Sequence, residues 1–226
     1  MTSSRIEILA RIRRAHQLAL LPDVSGITPP PPQPPPFARP LVDVFESALQ
    51  AVQGIAHRCT TPEGVARIIA DTCQEQKQNQ VLSWEPEALP ISGLEMALAK
   101  LGIELIPSHL PDERKRNLAN LHPLLVGVTG AAAGLARTGS IVLHADRTHG
   151  RLASLMPDIH FALLRVENIY DDIAAWIASD EAGARIVASS NTVIITGPSR
   201  TADIAQTLTL GAHGPRELHV ILYGIQ

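Results

Sequence analysis

Apolar residues along this chain alternate between two spacings. Ile6, Leu9 and Ile12 recur three residues apart behind Ser4-x-x-Glu7, a capping-box pattern. That predicts an amphipathic helix over 4–20, ended by Pro22. Leu41, Val44, Phe45, Ala48, Leu49, Val52 and Ile55 predict a helix over 41–57. Thr61-Pro62-Glu63 is a helix start, with threonine as cap and proline in the first turn, and Val65, Ile68 and Ile69 continue it. Further helices are predicted over 91–101, closed by Gly102, and over 112–121, 169–179 and 201–210.

Short apolar runs lie between them. Val81 to Trp84, Ile103 to Ile106, Leu124 to Val128, His160 to Arg165, Thr192 to Thr196 and Leu218 to Tyr223 read as strands. Leu135-Ala136 and Ser140 to Leu143 flank Thr138-Gly139, a break that predicts a hairpin. Strands alternating with helices imply an α/β fold with a largely parallel sheet. Eight prolines between Pro29 and Pro40 make an extended linker of 22–40. The expected organisation is a helical arm (1–21), the linker (22–40) and an α/β domain (41–226). The arm's apolar stripe must be covered, either by its own domain or by a partner subunit, a homo-oligomer included.

Composition removes several function classes. A net charge of −3 and a pI near 6.3 lack the basic footprint of a nucleic-acid binder. Aromatics at 3% leave few stacking platforms for single strands. No apolar run reaches the length of a membrane span, and the N-terminal arginines interrupt any signal-peptide core, so a cytoplasmic protein is expected. The two cysteines, Cys59 and Cys73, fall short of the roughly four thiolates that hold an iron–sulfur cluster. There is no dinucleotide fingerprint either, so no flavin, haem or cluster is expected.

The chemistry-bearing residues gather in three segments. The first is Gly197-Pro198-Ser199-Arg200-Thr201, with Asp203 beyond it and His213 and Arg216 further on. It follows a predicted strand and opens a predicted helix, whose N-terminal N–H groups suit an anion, with Arg200 adding a planar cation. The alternative is that Arg200 and Asp203 simply pin the turn. The second is Thr129-Gly130, opening the small-residue run through Gly134; it serves either a ligand or close packing. The third is Arg137-Thr138-Gly139-Ser140. All three are expected to converge on one cleft. His144, His149, His160 and His213 crowd the same half of the chain, without a metal motif. Asp146 and Asp158 are the nearest carboxylates, neither of them in a recognisable motif.

GPSRTADI followed by HGPRELHVIL resembles the C-terminal signature of the lactate-utilisation protein C family. Gly127 to Ala131, Thr138 to Leu143, and Ser154 to Pro157 with His160 resemble further runs of that family. The likeness is strong over the C-terminal half. It departs at Arg137, where the family usually carries an acidic residue, so a role for that carboxylate does not carry over. The resemblance implies the three-layer α/β fold of ribose-5-phosphate isomerase, glucosamine-6-phosphate deaminase and CoA transferases. It also implies a non-redox subunit of a lactate-utilisation system, working with separate iron–sulfur proteins that oxidise L-lactate to pyruvate. The alternative is a stand-alone enzyme of that fold, acting on a phosphorylated or CoA-linked small molecule. A pure scaffold is a third reading.

Overall fold

The structure is a computed structural model. It describes residues 3–18, 35–108, 124–202, 208–210 and 214–224. The chain forms two compact units, Met1–Pro35 and Pro36–Gln226. The first holds helix α1, Ser3–Leu18, where Arg11 and Glu7 form an ion pair one turn apart at 2.9 Å. The predicted helix over 112–121 lies outside the described residues, as do Asp203 and His213.

The second unit is built on a parallel sheet of six strands. In chain order its strands are β1 (Ile55–Cys59), β2 (Gln80–Ser83), β3 (Glu104–Pro107), β4 (Val126–Ala131), β7 (Ile159–Arg165) and β12 (Glu217–Tyr223). Across the sheet they run β1-β12-β7-β4-β2-β3. Its central strands are apolar on both faces, as strands covered on both sides must be. Val128, Phe161, Leu163, Val220 and Ile221 are wholly buried. Helices α2 (Leu41–Ala51), α3 (Pro62–Glu75) and α4 (Leu94–Lys100) add Phe45, Leu49, Val65, Ile69, Leu94 and Leu98 to the same core. The Thr61 hydroxyl accepts from the Gly64 N–H at 3.1 Å, and Gly102 closes the α4 segment in the left-handed region at φ 76°, both as the sequence predicts.

A second sheet of four strands, β8-β5-β6-β9, comprises β5 (Ala133–Leu135), β6 (Ser140–Ala145), β8 (Ile169–Tyr170) and β9 (Asn191–Ile195). The predicted hairpin is its β5–β6 pair. The short helices α5 (Leu152–Leu155), α6 (Ile173–Ile177) and α7 (Asp180–Ala188) are the remaining described α-helices of this unit, which also holds the antiparallel pair β10 (Arg200–Ala202) and β11 (Leu208–Leu210). Among the described residues, no helix is long and apolar enough to cross a membrane.

Four expectations are corrected. The helix from Leu41 stops at Ala51, because Gln53 turns left-handed at φ 65° and the chain enters β1. That strand is at the sheet edge and half polar, so its period was masked by the helix before it. The predicted helix over 169–179 is instead a strand at Ile169–Tyr170, then α6, capped by Asp172, whose carboxylate accepts from the Ala175 N–H at 2.9 Å. The strand at 191–195 joins the second sheet, antiparallel to β6. Most consequential, residues 200–202 and 208–210 pair as strands, where a helix over 201–210 was expected. The anion site proposed at that helix's N-terminus loses its structural basis.

Candidate functional site

The parallel order fixes where a ligand can enter. From β2 the chain moves outward to β3, then returns past β2 to lay down β4, β7 and β12 on the other side. The β2/β4 boundary is therefore the switch point, where the carboxyl ends of strands part and leave a crevice. A cleft of about 230 Å³ lies there. Trp84 directly follows β2, Gly130 and Ala131 end β4, and Arg165 and Tyr223 end β7 and β12. His144, Asp146, His149 and Arg185 also line it.

Each polar group is held by a specific partner. The parallel register sets Tyr223 beside Arg165, and the guanidinium lies 5.5 Å from the centre of the phenol ring. Both donate to the Pro90 carbonyl, at 3.3 Å each. Burial pushes the Tyr223 hydroxyl up to about 12, against the opposing pull of Arg165, so it stays protonated and a donor. Asp146 accepts from the Thr148 N–H and hydroxyl and from the His149 N–H, at 2.8, 2.8 and 2.9 Å. The His149 ring meets the same carboxylate through Nδ1 at 2.8 Å. Burial acts to raise the Asp146 pKa, but these hydrogen bonds outweigh it and hold the group well below the usual carboxylate range. Trp84 packs edge-on to the His149 ring with centroids 4.5 Å apart, and its own indole N–H donates to the Gly150 carbonyl at 3.1 Å.

His144 is buried at 8% exposure. Its Nδ1 lies 3.0 Å from the Thr192 hydroxyl, and its Nε2 has no hydrogen-bond partner among the described residues. Burial lowers its pKa first, and the Arg185 charge lowers it further against the opposing pull of Asp146, so the ring is held neutral. Among the described residues, no three His, Cys, Asp or Glu side chains converge as metal ligands.

Of the three predicted ligand-binding segments, Gly130 lines this cleft among the described residues, and His144, Asp146 and His149, noted in sequence outside those segments or without a motif, line it too. A Cβ on Gly130 would come within 2.9 Å of Pro90 and 3.0 Å of Trp84, so the cleft wall needs glycine. The run that follows is no loop: β4 continues to Ala131 and β5 begins at Ala133. Thr129 is fully buried and bonds the His160 ring at 2.8 Å. The other segments meet elsewhere, around the C-terminal end of α2. Gly139, at φ 64°, lies so close that a Cβ would be 2.2 Å from the Leu49 nitrogen. Gly197, at φ 76°, approaches the Val52 carbonyl in the same way, beside the buried Pro198. Arg200 donates to the Val52 carbonyl at 3.1 Å and to the Gln53 side chain. The Ser140 hydroxyl bridges those of Thr138 and Thr196, each at 2.7 Å. Arg137 stacks over Phe37 at 4.5 Å and pairs with Asp172 at 3.8 Å. Ser199 donates its N–H to the Pro215 carbonyl at 2.8 Å, Thr201 pairs with Thr209 across β10 and β11, and Arg216 pairs with Asp158 at 3.8 Å.

Among the cleft residues that the sequence did not single out are Trp84, Arg165, Arg185 and Tyr223. Three of them sit at or just past a strand's last residue, a signal visible once strand ends are drawn.

Fold and cleft together define an α/β protein with a ligand-sized crevice at the carboxyl edge of a parallel sheet. Residues 42–223 match the LUD domain, and the chain belongs to that family, among relatives named lactate utilization protein C. The protein of that name from Macrococcus caseolyticus is 27% identical, over 69% of this chain and 66% of its own length. The one from Oceanobacillus iheyensis is 26% identical, over 77% of this chain and 76% of its own. An uncharacterised protein of Neisseria meningitidis is 38% identical over 98 residues, 42% of this chain and 40% of that protein. This chain thus spans less than two thirds of the Neisseria and Macrococcus proteins' lengths. A crystal structure of a DUF162 family protein from Deinococcus radiodurans shares the fold, with a TM-score of 0.54 at 21% identity over 81% of this chain and 96% of that one.

Proposed function

We propose that this chain is a non-redox subunit of an L-lactate utilisation system, working with separate iron–sulfur proteins that oxidise lactate to pyruvate, and that its cleft binds a small anion. The relatives' names support the first part. The observation that carries the second is the pair of guanidinium side chains, Arg165 and Arg185, lining the switch-point cleft. A planar guanidinium favours carboxylate and phosphate oxygens. The redox centre is assigned to the partners, since this chain's two cysteines cannot hold a cluster.

The test is reconstitution. Lactate-dependent dye reduction by the purified iron–sulfur proteins should require this chain, and Arg165→Ala should lower it. Full turnover without the chain would defeat the subunit reading. Calorimetric titration of the chain with small carboxylates and inorganic phosphate tests the anion site separately.

A further inference from the structure

We propose that β9, Asn191–Ile195, is a subunit interface: it pairs antiparallel with β9 of a second copy of this chain, joining the two small sheets into one continuous sheet. This does not depend on what the cleft binds.

A strand at the rim of a sheet turns one row of backbone N–H and C=O groups away from its neighbour, and that row is a template for another strand. The two larger sheets end in four rim strands, β1, β3, β8 and β9. Three of them carry obstacles to pairing. β1 has His57 and Arg58 within it, and the Arg58 guanidinium is tied to Asp43 and Glu46 of α2. β3 begins at Glu104 and ends at Pro107, which has no N–H to give. β8 is two residues long. β9 has none of these features. Thr192, Val193, Ile194 and Ile195 are all β-branched, which suits a paired strand. Among the described residues, β6 is the one strand that pairs with it.

The side chains leave the same edge unfinished. Ile194 is 42% exposed, although it stands in register with Val142, which is wholly buried. Val142 belongs to a small apolar cluster with Ala133, Leu135, Trp176 and Ala182. That cluster therefore reaches the open rim at Ile194, where a further strand can cover it.

Charge selects the occupant. From Ser189 to Pro198 no residue carries a charge. A partner that recognises its target by ion pairs finds nothing there to hold. A second copy related by a two-fold axis meets its own sequence, so any charge in the strand is brought close to its like. A neutral strand escapes that repulsion. An axis through Val193 pairs all five residues, setting Asn191 opposite Ile195 and Thr192 opposite Ile194 of the other copy. The junction lies one strand away from each cleft, since the Thr192 hydroxyl is 3.0 Å from Nδ1 of His144 in the cleft wall.

The experiment weighs the full chain in solution. Light scattering after size exclusion and sedimentation equilibrium, over about 1–100 μM, should give twice the 24.3 kDa of one chain. Ile194→Lys sets two like charges near the axis and should return the mass to that of one chain, weakening association by at least about ten-fold. Met96→Lys makes the same change at a side chain 65% exposed on α4 and should leave the dimer intact. Hydrogen exchange gives a second measurement that needs no variant. Amides of Asn191–Ile195 should exchange faster as the parent chain is diluted, while those of the rim strand β1 should not change. That comparison decides the matter if Ile194→Lys fails to fold. A parent chain with the mass of one copy throughout the range overturns the proposal. So does a dimer that survives Ile194→Lys, an equal loss in Met96→Lys, or exchange at β9 that ignores concentration.

Discussion

The Arg200 guanidinium donates to the Val52 carbonyl at 3.1 Å, joining β10 to the C-terminal end of α2. The last carbonyls of a helix lack intrahelical partners and carry the negative end of its dipole, so a cation is favourable there. The residue read in sequence as an anion ligand at a helix N-terminus instead braces a helix C-terminus. Arg200→Ala should therefore lower stability by about 1 kcal/mol, a modest figure because the side chain is exposed. Urea unfolding measures it. Carboxylate affinity at the cleft should stay as in the parent, and a loss of affinity at unchanged stability would contradict this placement.

Gly139 makes a stronger demand on the same region. Its φ of 64° and the 2.2 Å approach of a built Cβ to the Leu49 nitrogen leave no space for alanine. The neighbour is helix backbone and cannot swing aside. Gly139→Ala should cost about 2–4 kcal/mol, combining left-handed strain with overpacking. Thermal melting checks it. By contrast Gly93, also left-handed at φ 82°, has no atom near a built Cβ, and Gly93→Ala should cost only about 1 kcal/mol. Equal losses at the two positions would show that the close approach to α2 is not what matters.

The difference between what was legible and what was not follows from locality. Val81-Leu82, Phe161 to Leu164 and Val220 to Leu222 form unbroken apolar runs, and strands buried on both faces look that way wherever they are placed. Thr61-Pro62 states a helix start within two residues. β1 was invisible because His57 and Arg58 interrupt it at a sheet edge. Leu208 falls inside the helix predicted over 201–210, yet it pairs with Ala202 across two strands. The cleft was less legible still. Trp84, Arg165 and Tyr223 are brought together only by the strand order, which no local spacing encodes. The family's glycine and threonine signatures were conspicuous in sequence, and the structure uses several of them to seat α2.

The two thiols should differ in reactivity. Cys73 is wholly buried, and burial pushes its thiol up to about 11, so almost none of it is thiolate near neutral pH. Cys59 is only partly buried. A disulfide-exchange reagent at pH 7.5 should modify Cys59 first, with Cys73 reacting only as urea unfolds the chain. Peptide mapping assigns the sites. Comparable rates in the native protein would mean that α3, which carries Cys73, opens readily.

His160 sets the response to acid. It is 1% exposed, bonded to Thr129, and its pKa falls from 6.5 to about 3 through burial first and the nearby His219 second. The unfolded chain thus takes up a proton on this residue below about pH 6.5, whereas the folded chain does not until about pH 3. Its contribution is complete above the unfolded value and is lost as pH falls through that window. His57 and His144 are shifted in the same direction by burial, so they add to the slope. Unfolding free energy should fall on going from pH 7 to pH 4.5, with His160 alone contributing up to roughly 1.4 kcal/mol per pH unit below pH 6. His160→Gln keeps a polar group opposite Thr129 but does not titrate. The variant should be less stable than the parent at pH 7, and the gap should narrow steadily as pH is lowered. Parallel stability curves for the two proteins between pH 7 and 4.5 would show that His160 is not the group the folded state keeps neutral.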